Sequence, residues 1–307
     1  MKNESSLFVA FDPIYAHPLP EGHRFPMAKY ELIPEQLLYE GTITRNNLFV
    51  PKPCKDEIVL LTHSAEYLDK LKNQTLSPKE QRHIGFPQSP QLTQRELIIT
   101  QGTIDCCYYA LHNGIAMNVA GGTHHAFKDR GEGFCLLNDF AVTANHLLKE
   151  DLARQILIID LDVHQGNGTA KIFECKDRVF TFSMHGKNNY PFHKEESDCD
   201  VELPDGTENE DYLTKLSQML EDIAGKIKPD FVFYLSGVDV LETDKFGKLK
   251  LSMQGCKQRD ETIFKFCRQR SVPCVVAMGG GYSPQIKTIV EAHCNTFRTA
   301  KGVYELH

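Results

Sequence analysis

The chain has no block of Lys or Arg, no C-x-x-C pair, no apolar run of membrane-spanning length and no internal repeat. Each absence removes a class of function. With 34 Lys and Arg against 41 Asp and Glu, the net charge of −7 argues against nucleic acid as the main partner and is compatible with a cationic substrate. Without C-x-x-C spacing the ten cysteines do not build a cysteine zinc finger. Several fall in apolar helix or strand patterns, as buried free thiols do, which points to a reducing compartment. The N-terminal MKNESSLFVAFDP holds an apolar run too short for a signal peptide, and no stretch approaches the roughly 20 apolar residues of a spanning helix. The expectation is a soluble cytoplasmic protein, with the nucleus an alternative for a eukaryotic source, that neither spans a membrane nor binds nucleic acid directly.

What is present is core-forming. Of the 307 residues, 41% are apolar and 24% charged, within the range of one large α/β unit, and no composition shift breaks it. A single domain over 1–307 is expected. Residues 7–11 read as a first strand, followed by a loop with four prolines whose His and aromatic content suits a functional surface. Residues 27–39 have helical character that Pro34 should bend or end. Residues 58–61 read as a short strand, 63–72 as a helix, 75–90 as an irregular loop and 93–112 as a long buried helix. From residue 116 a βα rhythm sets in, with strands at 116–120, 156–161, 179–184, 231–235 and 274–278. Helices are expected at 138–149, 212–227 (entered through a capping box at Thr207 and Glu210), 254–270 and from 283 onward. Alternating strands and helices imply a three-layer α/β/α fold around a mostly parallel sheet.

The stretch ILIIDLDVHQGNGT at 156–169 concentrates the chemistry. A buried aliphatic run ends in Asp160, Asp162 and His164, in phase on a period-two strand, at the carboxyl end where open α/β sheets place ligands. The motif also reads as polar residues closing a strand. The in-phase His, with Gly166 and Gly168 behind it, favours a divalent metal. In SGVDVLETD after the strand at 231–235, Asp239 can add a carboxylate, so that Asp162, His164 and Asp239 give a three-ligand set with an open position. Asp244 lies further off and is expected to be solvated. In GGTHHAF, His124 and His125 should face opposite ways on an extended segment. They are better suited to acid/base work beside the metal than to sharing it. In GGGY, glycines admit close backbone approach and Tyr282 can donate to a developing oxyanion; taken alone it would be a packed aromatic. Gly133-Phe134-Cys135 and Asn189-Tyr190-Pro191 either wall a narrow pocket or pack its rim.

GGTHHAF, GEGFCLLND, IDLDVHQGNGTA, FSMH, SGVDVLETD and GGGY follow one another here as in the zinc-dependent histone deacetylase family, which the chain resembles over nearly its whole length. The DVHQGNG and DRGEGFC forms look most like the class IV, histone deacetylase 11-like branch. The resemblance implies the arginase/deacetylase fold and a zinc ion on Asp162, His164 and Asp239, with iron(II) the alternative for the same donors. It implies that His125 is the general base and then the acid toward the leaving amine, with His124 its electrostatic partner bonded to Asp160. His125 would be oriented by Asn167, where some members have Asp; a neutral amide stabilises imidazolium less than a carboxylate does. Asp160 and Ser183 would hold a structural potassium ion. Tyr282 would polarise the scissile carbonyl, Gly133, Phe134 and Tyr190 would flank the acyl-lysine channel, and Phe246 would sit at its rim. Arg24 in HRFPM would line an internal cavity for acyl-product release. The implied activity is hydrolytic removal of acetyl or longer fatty acyl groups from lysine in a peptide or protein. An acetylpolyamine amidohydrolase acting on a small acylated amine and a non-catalytic acyl-lysine-binding protein are the alternatives. An arginase-like two-manganese enzyme fits the DVHQGNG and GGGY elements less well.

Overall fold

The computed structural model describes residues 6–306. Its frame is one sheet of eight parallel strands: β1 (Phe8–Ala10), β2 (Leu48–Phe49), β3 (Ile115–Asn118), β4 (Ile156–Asp160), β5 (Val179–Gly186), β6 (Cys199–Leu203), β7 (Phe231–Leu235) and β8 (Cys274–Ala277). Their spatial order is β2-β1-β3-β8-β7-β4-β5-β6. The inner strands β3, β4, β7 and β8 are buried at every position, as parallel strands covered on both faces must be. Alternate residues feed two cores. Leu157, Ile159, Val232, Tyr234 and Val276 enter one, and Ile156, Ile158, Phe231, Phe233 and Val275 the other.

Among the described residues ten α-helices connect and cover the sheet: α1 (Lys29–Tyr39), α2 (Asp56–Val59), α3 (Ala65–Asn73), α4 (Pro78–Ile84), α5 (Pro90–Asn113), α6 (Asp139–Lys149), α7 (Asn167–Phe173), α8 (Asn209–Lys226), α9 (Met253–Gln269) and α10 (Ile286–Tyr304). Helix starts follow the capping chemistry. Ser89 Oγ accepts from Leu92 N at 3.0 Å to open α5, and Ser252 Oγ accepts from Gly255 N at 3.1 Å to open α9. No helix among the described residues is long and apolar enough to cross a membrane. The ten cysteines are unpaired and eight are buried, in keeping with their placement in apolar patterns.

Several local expectations are corrected. Residues 58–61 are not a strand: Asp56 and Glu57 open a short helix there, where acidic groups favour a helix N-terminus. The supposed loop at 75–90 contains α4, with Ser77 and Glu80 forming a capping box around Pro78. The capping box expected at Thr207 and Glu210 does not form; Glu208 precedes the helix without a side-chain cap, and Thr207 Oγ1 donates to Pro204 O at 2.8 Å. Helix α1 continues across Pro34 to Tyr39 rather than ending there.

The register sets the ends of the central strands side by side. Asn118 pairs with Ala277, Leu235 with Ala277, Asp160 with Leu235, and Asp160 with Ser183. The segments following β3, β8, β7 and β4 therefore leave the sheet together, and these carry the chemistry-bearing motifs.

Candidate active site

Asp162 and His164 sit just beyond β4, in a segment tied down by its own carboxylates. Asp162 N donates to Asp160 Oδ1 at 3.1 Å, His164 N to Asp162 Oδ1 at 3.0 Å and Val163 N to Asp239 Oδ1 at 2.9 Å. From the loop after β8, Gly280 N donates to Asp162 Oδ2 at 2.9 Å. His164 Nδ1 then faces Asp162 Oδ1 at 2.9 Å and Asp239 Oδ2 at 3.2 Å. One ligand atom from each of the three residues lies within 4.8 Å of the others. Glycine is required around them, since a Cβ at Gly280 would run into Asp239 Oδ2 and one at Gly237 into Asp162 Oδ2.

These residues fit a divalent metal. Asp239 Oδ2 is buried with no well-formed hydrogen bond among the described residues, facing only His164 Nδ1 at 3.2 Å, a cost that metal coordination removes. Burial, with the Asp162 charge added, pushes Asp239 up to about 7, so the two carboxylates resist sharing the site without a counter-cation. One imidazole nitrogen and two carboxylate oxygens suit zinc or iron(II). Asp160, which the strand phase groups with the cluster, turns away from it: its Oδ2 lies 2.7 Å from His124 Nδ1. Ser183 adjoins Asp160 across the β4–β5 pair, and its Oγ lies 2.9 Å from His185 Nδ1.

His124 and His125 do not point in opposite directions. They occupy a turn in which Ala126 N donates to Thr123 O at 3.3 Å, and their rings lie 4.1 Å apart, tilted by 45°. The segment is a turn, not an extended strand, so neighbouring side chains do not alternate. His125 Nδ1 is 2.7 Å from Asn167 Oδ1 at the start of α7. As an amide oxygen only accepts, Nδ1 carries the proton and Nε2 keeps a free lone pair. Burial holds His125 well below the ordinary histidine value, and positive charge on His124 or His164 adds to that effect. Burial opposes charge on His124 too, but Asp160 outweighs it and raises the group.

Tyr282 is positioned by Asp244, which is not a freely solvated group. Asp244 accepts from Tyr282 N at 2.6 Å, Phe246 N at 2.8 Å and Gly247 N at 2.9 Å, joining the two loops. Burial and the charges of Asp162 and Asp239 raise the Tyr282 phenol well above its usual value, so it remains a donor at neutral pH. Beneath the glycines of the same loop, the buried Lys29 Nζ donates to Gly279 O at 2.7 Å. Behind Asp162 and Asp239, Arg259 Nη1 donates to Gly237 O at 2.5 Å and Leu161 O at 3.2 Å, while its Nη2 meets Asp260 Oδ1 at 2.8 Å.

Lys29 and Arg259 escaped the sequence reading, although each left a trace. Lys29 precedes Ile33 and Leu37 at four-residue intervals on the buried face of α1, and Arg259-Asp260 interrupts the buried stripe from Cys256 to Ile263 on α9. A charge within an apolar stripe is either paired or functional.

Two cavities meet at this cluster. An inner one of about 50 Å³ and an outer one of about 700 Å³ share His125, Gly133, Phe134, His164 and Tyr282 as lining. Tyr190 lines the outer cavity, its ring 5.0 Å from His125, and Phe246 lies there 5.0 Å from Tyr282. Arg24 also lines the outer cavity, not the inner one expected of it. Its guanidinium stacks 5.1 Å from Phe134 and 5.5 Å from Phe246, whereas the arginine at the inner cavity is Arg95. Arg95 Nε donates to Tyr15 O at 2.7 Å, and its Nη1 pairs with Glu96.

Residues 23–297 match the family model described as histone deacetylase domain. An uncharacterised protein of Picosynechococcus sp. is 42% identical over 96% of this chain and 99% of its own length. Histone deacetylase 2 of Arabidopsis thaliana is 31% identical over 85% of this chain and 70% of its own length. In fold, the chain is similar to the crystal structure of an HDAC homolog from Aquifex aeolicus, with a TM-score of 0.82, 24% identity and coverage of 98% of this chain and 88% of that one.

Proposed function

The chain belongs to the histone deacetylase family, and from that premise we propose that it hydrolyses the amide of an acyl-lysine side chain. The observation that carries this reading is the neck between the two cavities, where Asp162, His164 and Asp239 converge beside the free Nε2 of His125 and the phenol of Tyr282. Asp162, His164 and Asp239 would hold zinc, with iron(II) as the alternative. When bound, such an ion polarises the scissile carbonyl and acidifies water beside it.

The chain's own groups do the rest. His125 Nε2 takes a proton from the attacking water as oxygen adds to the carbonyl carbon. It returns that proton to the lysine nitrogen as the C–N bond breaks, leaving a carboxylic acid and an amine. Asn167 holds the tautomer that makes this possible, and His124, bonded to Asp160, supplies the neighbouring charge. Tyr282 donates to the developing oxyanion. Gly133 lets the channel wall approach His125, Phe134 and Tyr190 flank the lysine stem, and Phe246 borders the mouth. Asp160 and Ser183 are the position for a structural potassium ion. The whole chain acts as one catalytic domain, nearest the class IV, histone deacetylase 11-like branch.

The inner cavity favours a short acyl group. A cavity of about 150 Å³ accommodates a benzene ring, so one of about 50 Å³ suits acetyl, and a fatty chain must displace its walls. The role expected of Arg24 in acyl-product release passes to the inner-cavity lining, where Arg95 is the cation. An acetylated polyamine is disfavoured by the cations of the mouth, Arg24, Arg82, Lys245 and Lys248.

The test is turnover of one lysine peptide carrying acetyl or myristoyl, with and without a zinc chelator. Chelator-sensitive release of acetyl is expected. Myristoyl preference would overturn the short-acyl assignment, and no release of either would overturn the deacylase reading.

A further inference from the structure

The outer cavity is charged against the sign of the chain. The sequence carries −7 overall, yet the lining of this cavity includes Arg24, Arg82, Lys245 and Lys248 and one carboxylate, Glu132. That carboxylate is already engaged: Arg130 Nε donates to Glu132 Oε1 at 2.8 Å and Tyr190 OH to Glu132 Oε2 at 2.9 Å. Asp244, close by, is taken up by three backbone N–H groups. Of the four cations only Lys248 faces an acidic group, Asp205, at 3.9 Å; Arg24, Arg82 and Lys245 have no anionic partner among the described residues. The expectation of a cationic substrate, read from net charge alone, therefore reverses locally.

Arg24 gives the charge a fixed position. Its guanidinium carbon lies over the rings of Phe134 and Phe246, the aromatics that border the channel, at 5.1 and 5.5 Å, which places the cation at the mouth with its N–H groups unbonded among the described residues. Such a fork matches a carboxylate. A substrate whose acyl-lysine stem passes between Phe134 and Tyr190 leaves its flanking residues in this cavity, facing Arg24, Arg82 and Lys245.

We infer that the outer cavity selects substrates bearing a carboxylate next to the acylated lysine, supplied by flanking Asp or Glu of an acidic peptide. The inference rests on the deacylase reading for what enters the channel, so binding and turnover are measured separately. Acetyl-lysine peptides, capped at both ends and carrying Asp and Glu, Ser and Gly, or Lys and Arg beside the acetyl-lysine, are compared by fluorescence anisotropy and by kcat/KM on the metal-loaded protein. Exposed pairs of this kind lead to an expected acidic-over-neutral preference of about tenfold. It should shrink toward parity near 0.5 M salt, where screening is short-ranged.

The Arg24→Gln protein and the Arg82→Gln, Lys245→Gln protein should each lower the acidic-to-neutral ratio by about threefold or more. Equal binding of all three peptides, a preference for Lys and Arg, or a ratio unmoved by the substitutions would overturn the inference and leave deacylation standing. Acidic peptides bound in preference but never hydrolysed would support it and overturn the deacylase reading. Free Nε-acetyl-lysine tests the other source of the same chemistry: binding that depends on Arg24 assigns the site to an α-carboxylate, and binding unaffected by Arg24→Gln assigns it to the flanking side chains.

Discussion

Replacing Arg259 by Leu tests whether the loops carrying Asp162 and Asp239 are held from behind. The side chain is fully buried and spans the ends of two strands. Its Nη1 donates to Leu161 O, one residue before Asp162, and to Gly237 O, two residues before Asp239. Its Nε and Nη2 meet Asp260 Oδ1 at 3.0 and 2.8 Å. Leucine removes these bonds and leaves the Asp260 charge buried with only the hydroxyls of Tyr234 and Thr296 on it. Breaking one side of a buried pair costs about 3–5 kcal/mol. For a chain of 307 residues, an unfolding entropy of about 0.6 kcal/mol/K turns that into a Tm loss of ~5–8 °C in metal-free protein. Because the freed carbonyls precede Asp162 and Asp239, the proposed zinc ligands, zinc affinity measured against a competing chelator should also fall, by about tenfold or more. Arg259→Lys, which keeps the charge on a single donor nitrogen, should recover part of both. An Arg259→Leu protein that melts within about 1 °C of wild type would refute the buried-pair argument. Lower Tm with unchanged zinc affinity would refute the link to the ligands.

Tyr282→Phe deletes one hydroxyl without opening a cavity, and kcat on an acetyl-lysine peptide should fall about a hundred- to thousandfold with Tm nearly unchanged; near-normal turnover removes Tyr282 from oxyanion stabilisation. Metal removal by a chelator should lower Tm as well as abolish hydrolysis, because ligand at about a thousand times its Kd stabilises by roughly 4 kcal/mol; an identical Tm would show that these residues hold no ion. Glu40, hydrogen-bonded by Arg298 at 2.8 and 2.6 Å, is held down to about 2 by that guanidinium. Its depressed value means the unfolded chain binds the proton first, so its contribution is complete above about 4.5 and lost as pH falls toward 2. Being partly exposed, the pair is worth about 1 kcal/mol at neutral pH. Glu40→Gln should cost that amount at pH 7 in urea unfolding, and the gap should close between pH 4.5 and 2.

The parts of the fold legible in the sequence were those whose burial is continuous along the chain. The inner strands, such as Ile156–Asp160 and Phe231–Leu235, are buried on both faces and so read as unbroken apolar runs. Edge pieces did not read. Strand β2 has two residues, and β6 alternates polar and apolar positions in CDVEL because only one face is covered. Helix α7 was hidden by Gly166 and Gly168, which suggest a turn but here permit the chain to pass against Asp160 and the backbone of Ala126. The α4 capping box was present in the sequence as Ser77-x-x-Glu80 and was outweighed by the surrounding prolines.

Site residues were legible where a single loop collects them, as in Asp162 and His164 or Gly279 to Tyr282. Those that act across the fold were not: Lys29 reaches a carbonyl 250 residues away and Arg259 one 98 residues away. Net charge failed for a related reason, since it averages over a surface that is acidic overall while the mouth is not.

The position of the reactive cluster at a neck makes two selectivities separable. His125, Gly133, Phe134, His164 and Tyr282 belong to both cavities, so changes there alter binding and chemistry together. Beyond the neck the linings diverge. Phe86, Arg95 and Ile99 face only the inner cavity, the proposed place of the acyl group, and Arg82, Lys245 and Lys248 face only the outer one, where the rest of the proposed substrate would remain. If the chain hydrolyses acyl-lysine as proposed, chain length of the acyl group and charge of the flanking sequence would be read by different residues on opposite sides of the scissile bond. Enlarging the inner wall by Ile99→Ala should raise kcat/KM for longer acyl chains relative to acetyl without moving the acidic-to-neutral peptide ratio, and Lys245→Gln should do the reverse. Substitutions that each moved both ratios would mean that the two cavities act as one.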